Sequence, residues 1–297
     1  MTGFVGALPK SVCEFIPNVA KKQRRAVTCS NQVKMDMKDS WQSGNAYDQF
    51  MGRWSAFVTP KFLSWLAVPP AVRWLEVGCG TGSITRLILE TYSPRDIIAV
   101  DSSGEFISYA QQQVNTSSVR FMAGLAQSLA LRSSSCDAVV SGLLLNFVPQ
   151  PAVALSEMRR VTKPGGKIGI FVWDYAAGMA MLRHFWDAAV ELDKNALEFD
   201  EGRRFPICQE RPLEALFRES GMKQIETTAV QITTRFENFD DYWQPFLGGV
   251  GPAPSYTMNL TQANRKELEE KLRQSLPINK DGSISLFAKA WAVKGTT

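Results

Sequence analysis

The sequence predicts an α/β protein built on a doubly wound, mostly parallel sheet. Short apolar runs of strand length alternate with helical patterns over residues 73–173, and such alternation places helices on both faces of a parallel sheet. A glycine-rich turn over residues 78–82 joins the first strand to its helix, as in many nucleotide-binding proteins. Asp101 ends the second strand, at the sheet edge where ligands of such folds bind.

The predicted strands of the first half are short and rich in apolar residues, and each helix between them has an apolar face. Ser93-Pro94 stops the first helix, and the 163–167 segment Lys-Pro-Gly-Gly-Lys is predicted to turn the chain into the fifth strand. The five strands are predicted at 74–77, 97–101, 119–122, 137–141 and 168–173, and the helices between them at 83–92, 104–115 and 149–161.

The pattern changes after residue 173. A helix is predicted over residues 178–193, with Leu182, Phe185, Trp186 and Ala189 forming its apolar stripe. The remaining predictions are a helix over 212–220, a β-branched strand over 225–234, a loop over 248–254, a charged helix over 260–276 and a closing strand that ends at 293.

Composition limits the function classes. The apolar content of 45% and the charged content of 21% are those of an ordinary globular protein. The net charge is +4, but residues 1–34 carry six basic residues against Glu14, so the rest of the chain is at 4 − 5 = −1. Because the chain after residue 34 has no excess of basic residues, its composition does not favour nucleic acid as a partner. The five cysteines are scattered without a Cys-x-x-Cys pair, which indicates reduced thiols and no zinc site.

The amino-terminal segment leaves three alternatives open. Residues 1–38 are basic, poor in acidic residues and weakly periodic, so we expect a disordered extension, an overlong gene start before Met35 or Met37, or an organelle transit peptide. We therefore expect a cytoplasmic protein, with organelle targeting through residues 1–38 as the alternative. Residues 39–297 are predicted to form one domain.

The spacing of the glycine turn separates two kinds of cofactor. A dinucleotide fold has Gly-x-Gly-x-x-Gly, whereas Ser83 follows Gly82 here, so the third glycine comes one residue early. The longer pattern Glu-x-Gly-x-Gly-x-Gly from Glu76, followed by Asp101, resembles the class I S-adenosylmethionine-dependent methyltransferases. The Asp-Ala-Val-Val run from residue 137 and the Lys-Pro-Gly-Gly run from residue 163 resemble further motifs of that family.

The resemblance covers roughly residues 40–175. This segment most resembles the small-molecule, quinone-biosynthesis-like group (methyltransferase domain type 11). It implies a seven-stranded Rossmann-like sheet with one antiparallel strand. It further implies a cofactor-binding core over 70–175, a helical cap over about 176–280 that roofs the substrate pocket, and a closing strand over 283–293. The implied cofactor is S-adenosylmethionine, and its site is expected at Glu76, Gly78, Cys79, Gly80, Gly82, Asp101, Ser102, Ala126, Gln127, Ser141 and Leu143.

Within this resemblance, Asp101 is expected to accept hydrogen bonds from both ribose hydroxyls. Glu76 is expected to hold the amino end of the ligand through ordered groups, and Leu143 to offer its backbone to the methionine end. One position departs from the family pattern. Members of this group usually carry Gly-Asp-Ala after the third strand, where the Asp accepts from the adenine, and here Leu125 stands in that place.

Candidates for catalysis and substrate contact lie after the fourth and fifth strands. His184 is the only histidine and the candidate base at neutral pH, with a surface or packing role as the alternative. Asp174 and Tyr175 follow the fifth strand and are further candidates. The expected substrate or lid residues are Tyr47, Arg53, Asn146 and Trp173.

The predicted function is methyl transfer from S-adenosylmethionine to a small organic acceptor. An aromatic-rich cap with Phe185, Trp186, Tyr242, Trp243 and Phe246 favours an apolar or aromatic acceptor. The alternatives are an NAD-linked oxidoreductase and a non-methylating protein that binds the cofactor on the same fold. We expect no metal, no nucleic acid and no membrane span.

Overall fold

A seven-stranded sheet forms the centre of the computed structural model, which describes residues 48–297. The strands, numbered along the chain, are β1 (Arg73–Val77), β2 (Asp96–Asp101), β3 (Val119–Ala123), β4 (Cys136–Gly142), β5 (Thr162–Trp173), β6 (Lys223–Phe236) and β7 (Ile284–Thr296). Their order in the sheet is β3-β2-β1-β4-β5-β7-β6. Only β7 runs antiparallel to its neighbours, β5 and β6. The predicted doubly wound, mostly parallel sheet is confirmed.

Helices cover the sheet. They are α1 (Arg53–Leu66), α2 (Ser83–Tyr92), α3 (Gly104–Gln113), α4 (Pro151–Val161), α5 (Ala180–Leu192), α6 (Glu201–Arg204), α7 (Glu210–Glu219), α8 (Phe239–Trp243), α9 (Pro252–Asn259) and α10 (Gln262–Ser275). A π-helical turn (Asp48–Gly52) precedes α1, and 3-10 turns occur at Leu145–Phe147, Lys194–Glu198 and Gln244–Leu247. No helix within residues 48–297 is long and apolar enough to cross a membrane.

The central strand β1 runs from a charged edge of the sheet to the edge that carries a cavity. Its last four residues are buried, as expected for a strand covered on both faces. At the amino edge, Arg73 donates to Asp96 of β2 at 2.6–3.0 Å, and its backbone N–H donates to Asp137 of β4 at 2.9 Å. These bonds fix three strands at one edge, so that their other ends meet at the carboxyl edge.

Two predicted boundaries were wrong. The segment predicted as a turn before the fifth strand is part of β5, which begins at Thr162. The register with β4 jumps there, and Gly165 has φ +75°, so the turn residues form a bulge inside the strand. The predicted loop over 248–254 overlaps α9, which begins at Pro252. Proline favours the first helical position because it needs no N–H donor there.

Candidate functional site

A cavity of about 390 Å³ opens at the carboxyl edge of the parallel strands. The ends of β1, β2, β4 and β5 and the loops that follow them form its wall, as expected for ligand sites of doubly wound sheets. Among the described residues, the lining is Met51, Val77, Gly78, Gly80, Val100, Asp101, Ser102, Ser103, Phe106, Gly124, Leu125, Ala126, Gln127, Gly142, Leu143, Leu144, Phe147, Val148, Pro149, Trp173 and Tyr175.

Asp101 is the one charged side chain in this lining. Its Oδ2 accepts from the Gly80 N–H and its Oδ1 from the Ser103 N–H, both at 2.9 Å. Burial raises the pKa of Asp101, although the backbone bonds from Ser103 and Gly80 oppose the shift. A carboxylate has about four acceptor positions, so acceptor capacity remains for a ligand hydroxyl pair. The structure therefore places Asp101 where a sugar could bind.

The glycine turn brings backbone close to the cavity. Gly80 has φ +50° and an added Cβ would meet nothing within 4 Å, so its missing side chain leaves open space for a ligand. Gly78 has φ +78°, and an added Cβ would approach Leu144 Cδ2 to 2.7 Å. Left-handed backbone without a side chain suits glycine at both positions. Gly82 does not line the cavity; it precedes α2 and packs on Ala110 of α3.

Glu76 lies inside the wall rather than on the cavity surface. Its side chain is 1% exposed and accepts a hydrogen bond from the Thr85 hydroxyl. Burial raises the pKa of Glu76 to about 8, with the Thr85 bond opposing the shift. Glu76 does not line the cavity, whereas the next two residues, Val77 and Gly78, do. Its expected role at the amino end of a ligand would therefore act through other groups.

The other predicted cofactor residues divide into two groups. Ser102, Ala126, Gln127 and Leu143 line the cavity, and Leu143 has a left-handed φ of +58° that only a few non-glycine residues adopt. Cys79 and Ser141 do not line it. Cys79 is buried, which raises the pKa of its thiol, and the Ser141 hydroxyl donates to the Val77 carbonyl at 2.7 Å, joining β4 to β1.

Leu125 lies on the cavity wall and is 58% exposed. It stands where the family resemblance places an Asp for the adenine. A leucine side chain cannot accept a hydrogen bond, so residue 125 supplies no carboxylate to an adenine base. Gln127 is the nearest lining residue along the chain whose side chain carries both a donor and an acceptor.

Asp174 is held by structural contacts. Its Oδ2 pairs with Lys289 Nζ at 2.8 Å, and its Oδ1 accepts from the Ala177 N–H at 3.0 Å. The side chain is buried and does not line the cavity. These contacts close the turn after β5 and join it to β7, and a catalytic role for Asp174 stays a prediction.

Tyr175 lines the cavity, whereas His184 does not. The Tyr175 ring packs 5.9 Å from Phe205, which in turn lies 5.1 Å from the cavity residue Phe147. His184 is on α5 and half-buried; burial lowers its pKa, and Asp187 opposes the shift. Tyr175 thus belongs to the cavity lining, whereas His184 lies outside it, and the role of either residue in catalysis stays a prediction.

The four substrate or lid candidates also separate. Trp173 lines the cavity, and Asn146 lies in the turn after β4, between residues that do. Arg53 does not reach the cavity: its guanidinium pairs with Asp241 at 2.8 Å and lies over the Trp54 ring. Tyr47 lies outside the described residues, as do residues 1–38.

The expected aromatic roof is a packed core cluster. The rings of Phe185 and Phe246 stack with centroids 4.5 Å apart, and Phe185 and Trp186 meet edge to face at 4.9 Å. Tyr242 and Trp243 are buried in the same core. No residue from 176 to 297 lines the cavity, and Phe205 of the cap packs against the lining residues Phe147 and Tyr175.

Sequence reasoning missed several cavity residues. Met51 precedes α1, Phe106 is in the first turn of α3, and the Leu144, Val148 and Pro149 positions follow β4. Phe106 falls in the helix predicted over 104–115, and its place in the first turn of the helix that follows β2 was the available signal. Within residues 48–297, no group of three or more His, Cys, Asp or Glu could hold a metal ion.

Comparison with known proteins finds similarity to methyltransferases. Residues 75–170 match the family model described as a methyltransferase domain. An uncharacterized methyltransferase of Mycobacterium tuberculosis is 33% identical over 149 residues, which are 50% of this chain and 56% of the relative. A demethylmenaquinone methyltransferase of Bacillus licheniformis is 27% identical over 204 residues, 64% of this chain and 80% of that protein.

A solved structure shares the fold. Phosphoethanolamine N-methyltransferase 2 of Haemonchus contortus, in complex with S-adenosyl-L-methionine, aligns with a TM-score of 0.55 and 16% identity over 86% of this chain and 57% of that chain. The match over residues 75–170 and the shared fold make this chain similar to the class I S-adenosylmethionine-dependent methyltransferases. The chain spans about half the length of the Mycobacterium relative.

Proposed function

We propose that the protein transfers a methyl group from S-adenosylmethionine to a small, uncharged organic acceptor. The observation that carries this proposal is the juxtaposition of Asp101 with the open backbone of Gly80 on a cavity at the carboxyl edge of the sheet. The family match over residues 75–170 and the relatives named as methyltransferases support it.

The cavity fits the adenosine half of this cofactor. Asp101 would accept from the ribose hydroxyls, because its carboxylate is fixed by two backbone donors and faces the lining. The turn at Gly80 would allow the ligand close to the backbone. Ala126 and Gln127 would lie along the base, and the left-handed backbone at Leu143 would face the methionine end.

Bound S-adenosylmethionine supplies a methyl carbon that its sulfonium has already activated. The residues of this chain then have to align the acceptor and exclude water, and alignment alone can contribute about 7–11 kcal/mol. Trp173 and Tyr175 line the acceptor side of the cavity, and their ring faces favour a cation nearby. Leu144, Phe147 and Val148 form an apolar wall that keeps water out.

The cavity lining, rather than the cap, supports an apolar acceptor. The aromatic residues first expected to roof the pocket are core, whereas the wall around Trp173 is itself apolar and, within residues 48–297, carries no basic side chain. A phosphate or carboxylate on the acceptor would have no cationic partner among the described lining residues. The same lack of basic side chains gives no support for nucleic acid as a partner.

The two rival functions are separable. An NAD-linked oxidoreductase is not favoured, because the glycine spacing and the family match both indicate a methyltransferase. The substitution of Leu125 for the usual acid keeps a binding protein without transfer activity as the second candidate.

One experiment tests the proposal. Calorimetric titration of the purified protein with S-adenosylhomocysteine and with NAD should show binding of the former alone. Incubation with methyl-labelled S-adenosylmethionine and a panel of hydroxylated and apolar aromatic acceptors should then give labelled product. Binding of NAD in preference to S-adenosylhomocysteine contradicts the proposal, and tight cofactor binding with no transfer to any acceptor favours the non-methylating protein.

The compartment is part of the same proposal. We place the protein in the cytoplasm, with organelle targeting through residues 1–38 as the alternative. Amino-terminal sequencing of the native protein separates them, because an intact Met1 excludes a cleaved transit peptide.

A further inference from the structure

Phe205 of the cap packs against two aromatic rings of the cavity wall. Its ring centroid lies 5.1 Å from that of Phe147, edge to face, and 5.9 Å from that of Tyr175. These separations are those of rings in direct contact. Phe147 and Tyr175 line the cavity, whereas Phe205 does not and is packed against the core. One ring outside the cavity therefore supports two rings of its wall.

The two supported rings lie at the end of the cavity away from Asp101. Asp101 ends β2, whereas Phe147 follows β4 and Tyr175 follows β5. In the strand order β2-β1-β4-β5, the last strand is three places from the first, which corresponds to about 14 Å between strand axes. In the proposed function the sugar of the cofactor binds at Asp101, so the acceptor takes the end formed by Phe147 and Tyr175.

The chain segment before Phe205 is held from two sides. On one side, the Asp200 carboxylate accepts from the Arg183 guanidinium of α5 at 3.0 Å. On the other side, Gly202 of α6 lies against the turn after β5, where an added Cβ would come within 2.9 Å of the Tyr175 carbonyl oxygen. The segment that carries Phe205 is thus in direct contact with the turn that carries Tyr175.

This packing limits the space at the acceptor end. The cavity of about 390 Å³ has to hold both the cofactor and the acceptor, and it is at the small end of the range of ligand sites. Protein interiors are close-packed, so a ring behind the wall prevents the wall from moving outward. Removal of such a ring leaves a void that its neighbours fill only in part. Without Phe205, the Phe147 and Tyr175 rings would therefore gain room to move away from the cavity.

We propose that Phe205 is a positioning residue that sets the size of the acceptor end. By holding Phe147 and Tyr175 in place, it restricts the site to compact acceptors and excludes elongated ones. This inference rests on the proposed function, since it concerns the acceptor of the same cavity. Phe205 acts through the two wall rings and does not itself contact the acceptor.

The test compares phenol with para-phenylphenol by equilibrium dialysis against the full chain saturated with S-adenosylhomocysteine. The larger compound carries one additional phenyl group, and Phe205→Ala removes one phenyl group from behind the wall. Wild type should bind phenol at least as tightly as para-phenylphenol. Phe205→Ala should bind para-phenylphenol about tenfold more tightly than wild type does and phenol within about threefold, because only the larger compound gains buried apolar area. Phe205→Leu should show a smaller gain and replaces the alanine variant if that variant does not fold.

Phe199→Ala is the matched control. Phe199 is also a partly buried phenylalanine of the cap, and its ring lies 5.6 Å from that of Tyr256. Neither of these residues lines the cavity. Both alanine variants should lower the melting temperature, because each removes a ring from a packed site. Only Phe205→Ala should change the ratio of the two phenol dissociation constants, so this ratio separates positioning of the wall from general loosening of the cap.

Three kinds of result would overturn the inference. Wild type could bind neither compound or prefer para-phenylphenol, both Phe205 variants could keep the wild-type preference, or Phe199→Ala could shift the preference equally. Calorimetry with S-adenosylhomocysteine separates these results from a failure of the proposed function. If wild type does not bind S-adenosylhomocysteine, the proposed function fails, whereas normal cofactor binding with any of the three results removes the role of Phe205 alone.

Discussion

At the scale of single residues, burial changes the chemistry of two carboxyl groups, one in the sheet and one in the cap. Glu76 lies beneath the glycine turn, and Glu201 lies at the start of α6 in the cap. Each is 1% exposed and accepts one hydrogen bond from a side chain, Thr85 for the former and Trp186 for the latter. Both carboxyls therefore hold protons more tightly when the protein is folded.

Glu201 gives a prediction for stability against pH. Burial raises its pKa from 4.5 to about 7, with Asp200 adding to the shift and the Trp186 bond and Arg183 opposing it. The folded state then binds more protons than the unfolded state between these values, so the free energy of unfolding falls as pH rises, by about 1.4 kcal/mol per pH unit. Glu201→Gln keeps an acceptor for Trp186 and removes this decline.

Urea unfolding from pH 4.5 to 8 measures this pH dependence of the free energy of unfolding. Wild type and Glu201→Gln should have similar stability at the lowest pH. The variant should gain relative to wild type up to about pH 7, and the difference should then stay constant. Parallel stability curves across the range would show that Glu201 is not buried as a neutral acid.

Leu125 gives a prediction for cofactor affinity. The family resemblance places an Asp here, and Leu125 is on the cavity wall. Leu125→Asp should tighten S-adenosylhomocysteine binding about tenfold, since a hydrogen bond to a charged acceptor contributes about 1.5–3 kcal/mol. Calorimetry measures it, with Leu192→Asp as the control because Leu192 is an exposed leucine of α5 that does not line the cavity. An unchanged dissociation constant would mean that the base does not lie against residue 125.

At the scale of elements, the π-helical turn before α1 is attached to the cofactor side of the sheet. The Asp48 carboxylate accepts from Thr81 of the glycine turn at 2.9 Å and from Tyr109 of α3 at 3.3 Å. Met51, in the same turn, lines the cavity. Three elements that surround the proposed cofactor site thus meet at one carboxylate.

Removing this carboxylate should loosen the cover of the cavity. Asp48→Ala is expected to speed the dissociation of S-adenosylhomocysteine about five- to tenfold, because two hydrogen bonds of about 0.5–1.5 kcal/mol each are lost. Tyr109→Phe should give a smaller effect. Stopped-flow displacement measures the rate.

The control for this prediction is Asp241→Asn. It weakens the ion pair with Arg53 at the start of α1 and leaves the Asp48 contacts in place. Similar dissociation rates for Asp48→Ala and Asp241→Asn would show that general loosening of α1, rather than the Asp48 contacts, controls release.

The elements of the first half were predictable because their local signals agree with their environment. β1 and β2 are apolar runs that are buried on both faces, and α2 begins directly after the glycine turn. The start of β5 was missed because its Pro-Gly-Gly sequence is typical of a turn, whereas tertiary pairing with β4 and the last residue of the chain makes it a bulge. Local sequence propensity carries no information on such long-range strand pairing.

The candidate site was predictable only in part, for a similar reason. Asp101 and Gly80 follow from spacing in the sequence, because a strand-turn-helix unit fixes both. His184 was chosen because it is the only histidine, and its position relative to the cavity depends on how the cap packs. Phe205 carried no sequence signal for its contacts with the cavity wall, since the partners of a side chain are set by the whole fold.

At the scale of the whole molecule, the sheet places a charged edge and a ligand edge at opposite ends of the same strands. On β2, Asp96 pairs with Arg73 at one end, and Asp101 faces the cavity at the other. The two residues are five positions apart and have the same carboxylate side chain. Only their position in the fold distinguishes a structural carboxylate from a binding one.

This pair allows the most direct test of the account, which is the dissociation constant of S-adenosylhomocysteine for Asp101→Asn against Asp96→Asn. We predict that Asp101→Asn weakens binding about 10- to 100-fold, corresponding to about 1.5–3 kcal/mol for a hydrogen-bonded charge. Asp96→Asn should lower stability and leave the dissociation constant unchanged. Equal affinity of Asp101→Asn and wild type, or no binding by wild type, would contradict the assignment of this cavity to the cofactor.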